Sequence, residues 1–420
     1  MTLFPRWVHV LLPFVALIVA SDSVAAEEPL DMEGYVQIVL RAHPSARQTT
    51  GLRAAADAEH KASRIFPDPV LEYSRGRGRA TEGAELRGDE TGFSVAQTLP
   101  WPGTFSAQTR AADRAADVLR AAADSVGWEL EVTARESFSR LEAARSFLDL
   151  TRLAEEDARA LRDLVARRAD LGESRESDRI KASVEWLRQR RILLAAERDT
   201  ESTEAIVRGL AVEPLPRPLA IKPAPFRPLP PLDHDALVTR ALARNPRARA
   251  AGAEAARQEA LLSVARRGRV PDLGVTYFQA DEIDKETRGV LLGIRLPLWN
   301  SNRGDAARAL AATQVSTAEA ESVRISLVAE LDARLKDLLV AAAQAELLDA
   351  DLLPAATRSV DLARFGYQEG ETSLLDLLDA QRTHRDTQRE TVEAHLAFSL
   401  ALSELRRLVG PDFDPWGEGS

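Results

Sequence analysis

The chain is written twice. Leu30-Asp31, followed by Val39-Leu40-Arg41-Ala42-His43-Pro44, returns as Leu232-Asp233, followed by Ala241-Leu242-Ala243-Arg244-Asn245-Pro246, each 202 positions on. Pro67-Asp68 returns as Pro271-Asp272, and Leu99-Pro100-Trp101 returns as Leu296-Pro297 with Trp299 close behind. Gly172, Asp178 and Leu210 return as Gly370, Asp376 and Leu408, 198 positions on. A register this steady leaves little room for chance, and it makes the fold two copies of one unit. Residues 27–212 are expected to form the first repeat, 233–410 the second and 411–420 a tail. Residues 213–232 between them hold eight prolines, from Pro214 to Pro231, so this stretch cannot be helical and should run as a semi-rigid extended strap.

Each half reads as helix, two strands, a very long helix, a tight turn and another helix. Thr104 to Ala169 contains no proline and one glycine, Gly127, while Val126, Leu130, Ala134, Phe138, Leu141, Ala144 and Leu148 recur at spacings of three and four. A helix of that length is roughly 100 Å long at about 1.5 Å per residue. Val328, Leu331, Leu335, Leu338, Ala342, Ala345, Leu348 and Leu352 repeat the pattern, with a kink or break expected at Pro354. Helices so long cannot be buried in a globule and must pack against one another. Abundant alanine and only 5% aromatic residues suit that packing better than a thick core.

The strands are short, at about 69–75, 91–99, 273–279 and 289–296. Phe93, Val95 and Leu99 alternate with Gly92, Ser94, Ala96 and Thr98, and Val290, Leu292, Ile294 and Leu296 alternate with Gly289, Gly293 and Arg295. An apolar face opposite a small or polar one suits a strand between lipid and a water-filled lumen. The polar, glycine-rich segments 75–90 and 281–287 then read as outer loops. Four strands cannot close a membrane barrel, which needs about eight, but three copies would supply twelve. The alternative is a soluble four-stranded sheet packed on helices.

Residues 1–26 read as a secretory signal: Arg6, an apolar run of about 13 residues from Val8 to Ala20, and Val24 and Ala26 before the cut. The run is shorter than the roughly 20 residues of a spanning helix, and no later segment is long and apolar enough. Any membrane insertion must therefore use strands. The chain has no cysteine, which excludes disulfides, thiolate metal sites and a lipidated N-terminal cysteine. A net charge of −10 argues against nucleic acid as a partner.

Several segments together resemble the TolC family of outer-membrane efflux channels over essentially the whole mature length. They are the two Leu-Asp openings with His43-Pro44 and Asn245-Pro246; Gln97-Thr98-Leu99-Pro100-Trp101-Pro102-Gly103; Arg295 through Gly304; and, most specifically, Tyr367 through Arg382. The resemblance implies a mainly helical fold with a small β membrane part. It also implies a homotrimer whose twelve-stranded barrel in outer-membrane lipid continues into a periplasmic tunnel of helices. The implied partners are a periplasmic adaptor, or membrane fusion protein, and an inner-membrane pump of the RND type. No cofactor, resident metal or catalytic group is implied.

By the same resemblance Asp376 and Asp379 match carboxylates that ring the periplasmic entrance, and their i, i+3 spacing places both on one helix face. They are equally legible as first-turn acids of a helix capped at Thr372 or Ser373. Tyr367 matches a tyrosine of the closed gate and Asp178 its partner, with Ser177 where the family has threonine. The family's gate arginine is replaced by Thr372, leaving Arg175 and Arg179 as substitutes. Gly172 and Gly370 read as positive-φ helix caps, and the resemblance makes these turns, with Leu171 and Glu371, face the adaptor.

The Leu-Pro-Trp-Pro-Gly and Leu-Pro-Leu-Trp-Asn-Ser-Asn-Arg-Gly segments resemble the CzcC and CusC branch, which implies heavy-metal export. The residues do not themselves form a chelate: Met32 is the mature chain's one methionine, and His384 and His395 stand about 16 Å apart along a helix. The competing class is a periplasmic long-hairpin adaptor or scaffold, which would not need two strand pairs at matching places. An enzyme is more distant, since no metalloprotease, phosphate-loop or cysteine-nucleophile motif occurs.

Overall fold

The computed structural model describes residues 29–79, 87–283, 285–294 and 302–417. The signal segment 1–26 and positions 295–301 of the second tryptophan motif lie outside them. The chain makes two passes of helix, helix, strand, strand, long helix, long helix. The first pass is α1 (Met32–Ala42), α2 (Pro44–Ala62), β1 (Val70–Arg79), β2 (Arg87–Leu99), α3 (Pro102–Asp170) and α4 (Glu176–Ala211). The second is α5 (His234–Arg244), α6 (Pro246–Arg267), β3 (Leu273–Asp281), β4 (Glu286–Ile294), α7 (Arg303–Leu347), a five-residue π turn (Leu348–Leu352), α8 (Leu353–Glu369) and α9 (Leu374–Val409).

The repeated opening motif is a double helix cap. Asp31 accepts from the Gly34 N–H at 2.8 Å and starts α1, while Asp233 accepts from Asp235 and Ala236 at 2.9 and 3.3 Å and starts α5. The residue before a proline is pushed out of the helical region, so His43 and Asn245 are extended and end those helices. Each then caps the next helix, with Pro44 or Pro246 at its first position. The single helix expected before the strands is therefore a broken pair in both halves.

α3 is 69 residues long, as its unbroken periodicity predicts. Its counterpart does not break at Pro354. The proline has no N–H to donate, and its ring crowds the carbonyl four residues back. The ladder widens by one residue, and the Leu353 N–H reaches Leu348 O.

Two cores sit midway along the long helices. The first packs Tyr35, Val36 and Val39 of α1 against Leu130, Ala134, Phe138 and Leu141 of α3 and Val207 and Ala211 of α4. The Tyr35 hydroxyl donates to Val207 O at 3.0 Å, and burial raises its pKa. The second packs Leu237 and Ala241 against Leu327, Leu331, Leu335, Leu338, Leu405 and Val409. The proline-rich segment is extended and docked on both. Leu215 and Leu219 are buried in the first core, and Phe226, Leu229 and Leu232 pack on the second. Leu30 bonds to the strap on both sides, its N–H donating to Ala220 O and its carbonyl accepting from Lys222, each at 2.9 Å.

The strands run further than expected. β1 and β2 stay paired through Gly76↔Glu90 to Arg79↔Arg87, and β3 and β4 through Asp281↔Glu286. Residues 75–79 and 87–90 of the first expected outer loop, and 281, 286 and 287 of the second, are thus ladder, while β4 is described to Ile294. One antiparallel sheet results, in the order β1-β2-β3-β4, so the halves meet at β2 and β3.

Both hairpin turns carry glycine at positive φ, 76° at Gly172 and 81° at Gly370. In each, the next residue closes a Schellman motif: Glu173 N–H to Arg168 O and Glu371 N–H to Gly366 O, both 2.8 Å. Gly370→Ala forces a Cβ into the left-handed region, at a cost of about 1–2 kcal/mol. Thermal unfolding should show a lowered Tm, and an unchanged Tm would contradict this account of the turn.

Candidate functional site

The two turns lie side by side at one end of the shaft. Leu161, Val165 and Ala182 of the first hairpin share a buried cluster with Tyr367, Leu374 and Leu377 of the second. Leu171, Gly172, Gly370 and Glu371 are all exposed at this tip.

Asp376 and Asp379 sit on the first turns of α9. Leu374 and Leu377 point into the cluster, and both carboxylates stand on the exposed side. Asp376 is also a capping residue. It accepts from the Ser373 hydroxyl at 2.6 Å and from the Ser373 N–H at 3.2 Å, while its own N–H donates to the Ser373 oxygen. These hydrogen bonds hold its carboxyl below the ordinary carboxylate range. The helix-cap reading is thus realised, and it leaves Asp376 solvent-facing beside Asp379.

Tyr367 is buried and lies under an arginine that the sequence pattern does not single out. The Arg168 guanidinium is 5.2 Å from its ring centre and donates to Tyr367 O and Gln368 O at 3.5 and 3.4 Å. This joins the end of α3 to the end of α8, across 199 positions. A basic residue in a helix's last turn is ordinary in sequence, so nothing there marks Arg168. Asp178 faces Lys181 at 3.5 Å, and Ser177 is exposed beside it. Within one chain no hydrogen bond joins Tyr367 to Asp178 among the described residues. Arg179 is engaged with Asp170 at 3.3 Å and Glu176 at 3.8 Å. Arg175 occupies the cap position of α4.

The sheet at the other end has two chemically different faces. Directly paired residues share a face, so the register assembles the rows Leu99-Leu273-Ile294, Gln97-Val275-Leu292, Leu71-Val95-Tyr277-Val290 and Tyr73-Phe93-Gln279-Arg288 on one side. The opposite side carries Val70-Ala96-Thr276-Leu291, Glu72-Ser94-Phe278-Gly289 and Ser74-Gly92-Ala280-Thr287. Most apolar side chains on the first side face outward, Leu71 and Tyr73 both 67% exposed and Leu292 68%. In one chain β1 and β4 each pair on one side only. Among the described residues no helix is long and apolar enough to cross a membrane.

His384 meets the Thr357 hydroxyl at 3.2 Å, and His395 meets Asp349 at 2.9 Å under the Phe226 ring. No group of three or more metal-ligating side chains occurs among the described residues.

Residues 237–411 match the outer membrane efflux protein family. The cobalt-zinc-cadmium resistance protein CzcC of Cupriavidus metallidurans is 27% identical over 287 residues, which cover 67% of this chain and 68% of CzcC. Among solved structures, the outer-membrane channel OprN superposes with a TM-score of 0.75 at 19% identity, covering 90% of this chain and 89% of OprN. CusC gives 0.75 at 17% identity with 90% and 92% covered, and Neisseria gonorrhoeae MtrE in its open state gives 0.73 at 17% with 90% and 88% covered. Residues 237–411 thus carry the sequence pattern of the outer membrane efflux proteins, and the chain as a whole shares the fold of these solved outer-membrane channels.

Proposed function

We propose that three copies of this chain close a twelve-stranded barrel in outer-membrane lipid and line a helical duct below it. The observation that carries this reading is the four-stranded sheet, mostly apolar on one face, mostly small or polar on the other and unpaired along both edges. Unpaired edges demand strand partners, and β4 of one copy meeting β1 of the next supplies them without new chemistry. The duct conducts passively and has no catalytic role. Membrane fractionation followed by size-exclusion chromatography should find it in the outer membrane as a trimer. A soluble periplasmic monomer would overturn the proposal in favour of an adaptor or scaffold.

Asp376 and Asp379 from three copies would form a ring of six carboxylates at the periplasmic entrance. The exposed turns at Leu171, Gly172, Gly370 and Glu371 are the surface offered to a periplasmic adaptor, itself served by an RND-type inner-membrane pump. The likeness to CzcC supports heavy-metal cations as the cargo, with selection residing in the pump and adaptor.

The closed tip is held by Tyr367, with Arg168 as the arginine over it in place of the residue lost at Thr372. Asp178 and Ser177 lie within the same tip as hydroxyl partners for Tyr367 once copies assemble. In planar bilayers, Arg168→Ala should raise resting conductance severalfold, from loss of a contact worth about 0.5–2 kcal/mol. Tyr367→Phe keeps the ring under Arg168 and tests the hydroxyl alone. Unaltered closed conductance in both variants would remove the latch.

A further inference from the structure

About 30 Å up the shaft from the tip, at roughly 1.5 Å per residue along α3, lies a cleft that neither the tip nor the sheet uses. It has a volume of about 550 Å³ and opens where α4 and α9 flank α3. Phe147 and Leu150 contribute an apolar floor. The walls carry Arg188 and Arg191 on α4 and Arg382, Arg385 and Arg389 on α9. Two carboxylates, Glu185 and Asp386, stand among these five arginines. The chain as a whole carries a net charge of −10, so this is a local reversal of sign.

The carboxylates do not satisfy the arginines. Glu185 is shared, accepting from Arg385 at 2.6 Å and from the Gln189 amide at 2.7 Å, with Arg188 at 3.8 Å. Asp386 is 3.8 Å from Arg382, and Arg389 reaches Glu393 only at 3.7 Å, both longer than a good hydrogen bond. Arg191 makes no hydrogen bond or ion pair among the described residues. Arg385 is the deepest, its side chain 18% exposed. Burial pulls its pKa down, against the nearby Glu185, Asp386 and Asp157, and Arg382 adds to the lowering.

We propose that this cleft binds a small multivalent oxyanion, gripped between the arginines of α4 and those of α9. Guanidinium groups present paired N–H donors in a fixed fork that matches phosphate and carboxylate oxygens. Arg382, Arg385 and Arg389 lie along two turns of one helix, and Arg188 and Arg191 lie one turn apart on the other. A ligand with two or more charged groups therefore meets donors on both walls. Its volume is within the range of small-molecule sites, about 300–1,000 Å³. The site lies within a single chain and does not depend on the transport reading.

Calorimetric titration of the full chain in detergent at low ionic strength, with pyrophosphate as the probe, tests this. Saturable binding is expected. Arg191→Ala removes no hydrogen bond or ion pair; it should weaken binding at least tenfold, as should Arg382→Ala, with circular dichroism and trimer yield matching the wild type. Arg308→Ala, on the first turns of α7, should leave binding unchanged. Absence of saturable binding, wild-type affinity in both cleft variants, or equal weakening by Arg308→Ala would each overturn the proposal.

Discussion

Leu292→Arg is expected to abolish most outer-membrane trimer, whereas Leu291→Arg, one residue away, is expected to leave it near the wild-type amount. Leu292 shares a row with Val275 on the apolar face, and Leu291 pairs with Thr276 on the small and polar face. An arginine facing lipid near the bilayer midplane costs about 2–4 kcal/mol, and the proposed three-copy barrel would multiply it. On the other face the same side chain reaches water. Both leucines are well exposed in one chain, 60% and 68%, so neither change disturbs an existing core. The amount of heat-resistant trimer in purified outer membranes is the measurement. Equal yields for the two variants, or the reverse order, would contradict the assignment of lipid and lumen faces.

Asp376→Ala with Asp379→Ala should lower the channel's preference for cations over anions by about tenfold and relieve block by multivalent cations. A narrow passage lined by one sign of charge concentrates the opposite ion by a factor of that order. Planar-bilayer reversal potentials in a salt gradient report it directly. Asp376→Ala also removes half of a capping box. Asp376→Asn keeps a side chain that accepts from Ser373 while losing the charge, so it separates the cap from the ring. Unchanged reversal potentials in all three variants would leave these acids as cap residues alone.

The local features of the shaft are legible in the amino-acid sequence. Uninterrupted periodicity sets the length of α3, and the positive-φ glycines mark both turns because few other residues accept that backbone. The elements that escape are those decided at a distance. Gly76, Gly78 and Gly88 read as loop, yet pairing between β1 and β2 carries the ladder through them. Pro354 reads as a kink or break, and the irregularity takes the form of one π turn through which the helix continues. The capping preference of Ser373 and Asp376 is visible in four residues. Arg168 is not, because its partners lie 199 and 200 positions away. The proline-rich segment reads as a spacer, and its prolines do keep it extended. Leu215, Leu219 and Phe226 among them make it part of both cores.

The end of the chain copies the start of that strap. Arg208 at the close of α4 donates to Leu215 O and Pro216 O, and Arg406 at the close of α9 donates to Phe413 O, seven residues on. Phe413 and Trp416 then fill the second core, with the Trp416 indole donating to Pro228 O at 3.0 Å. A peptide tag or fluorescent domain fused after Trp416 would therefore emerge at the girdle of the shaft, beside the strap. It would be remote from both the sheet and the hairpin turns.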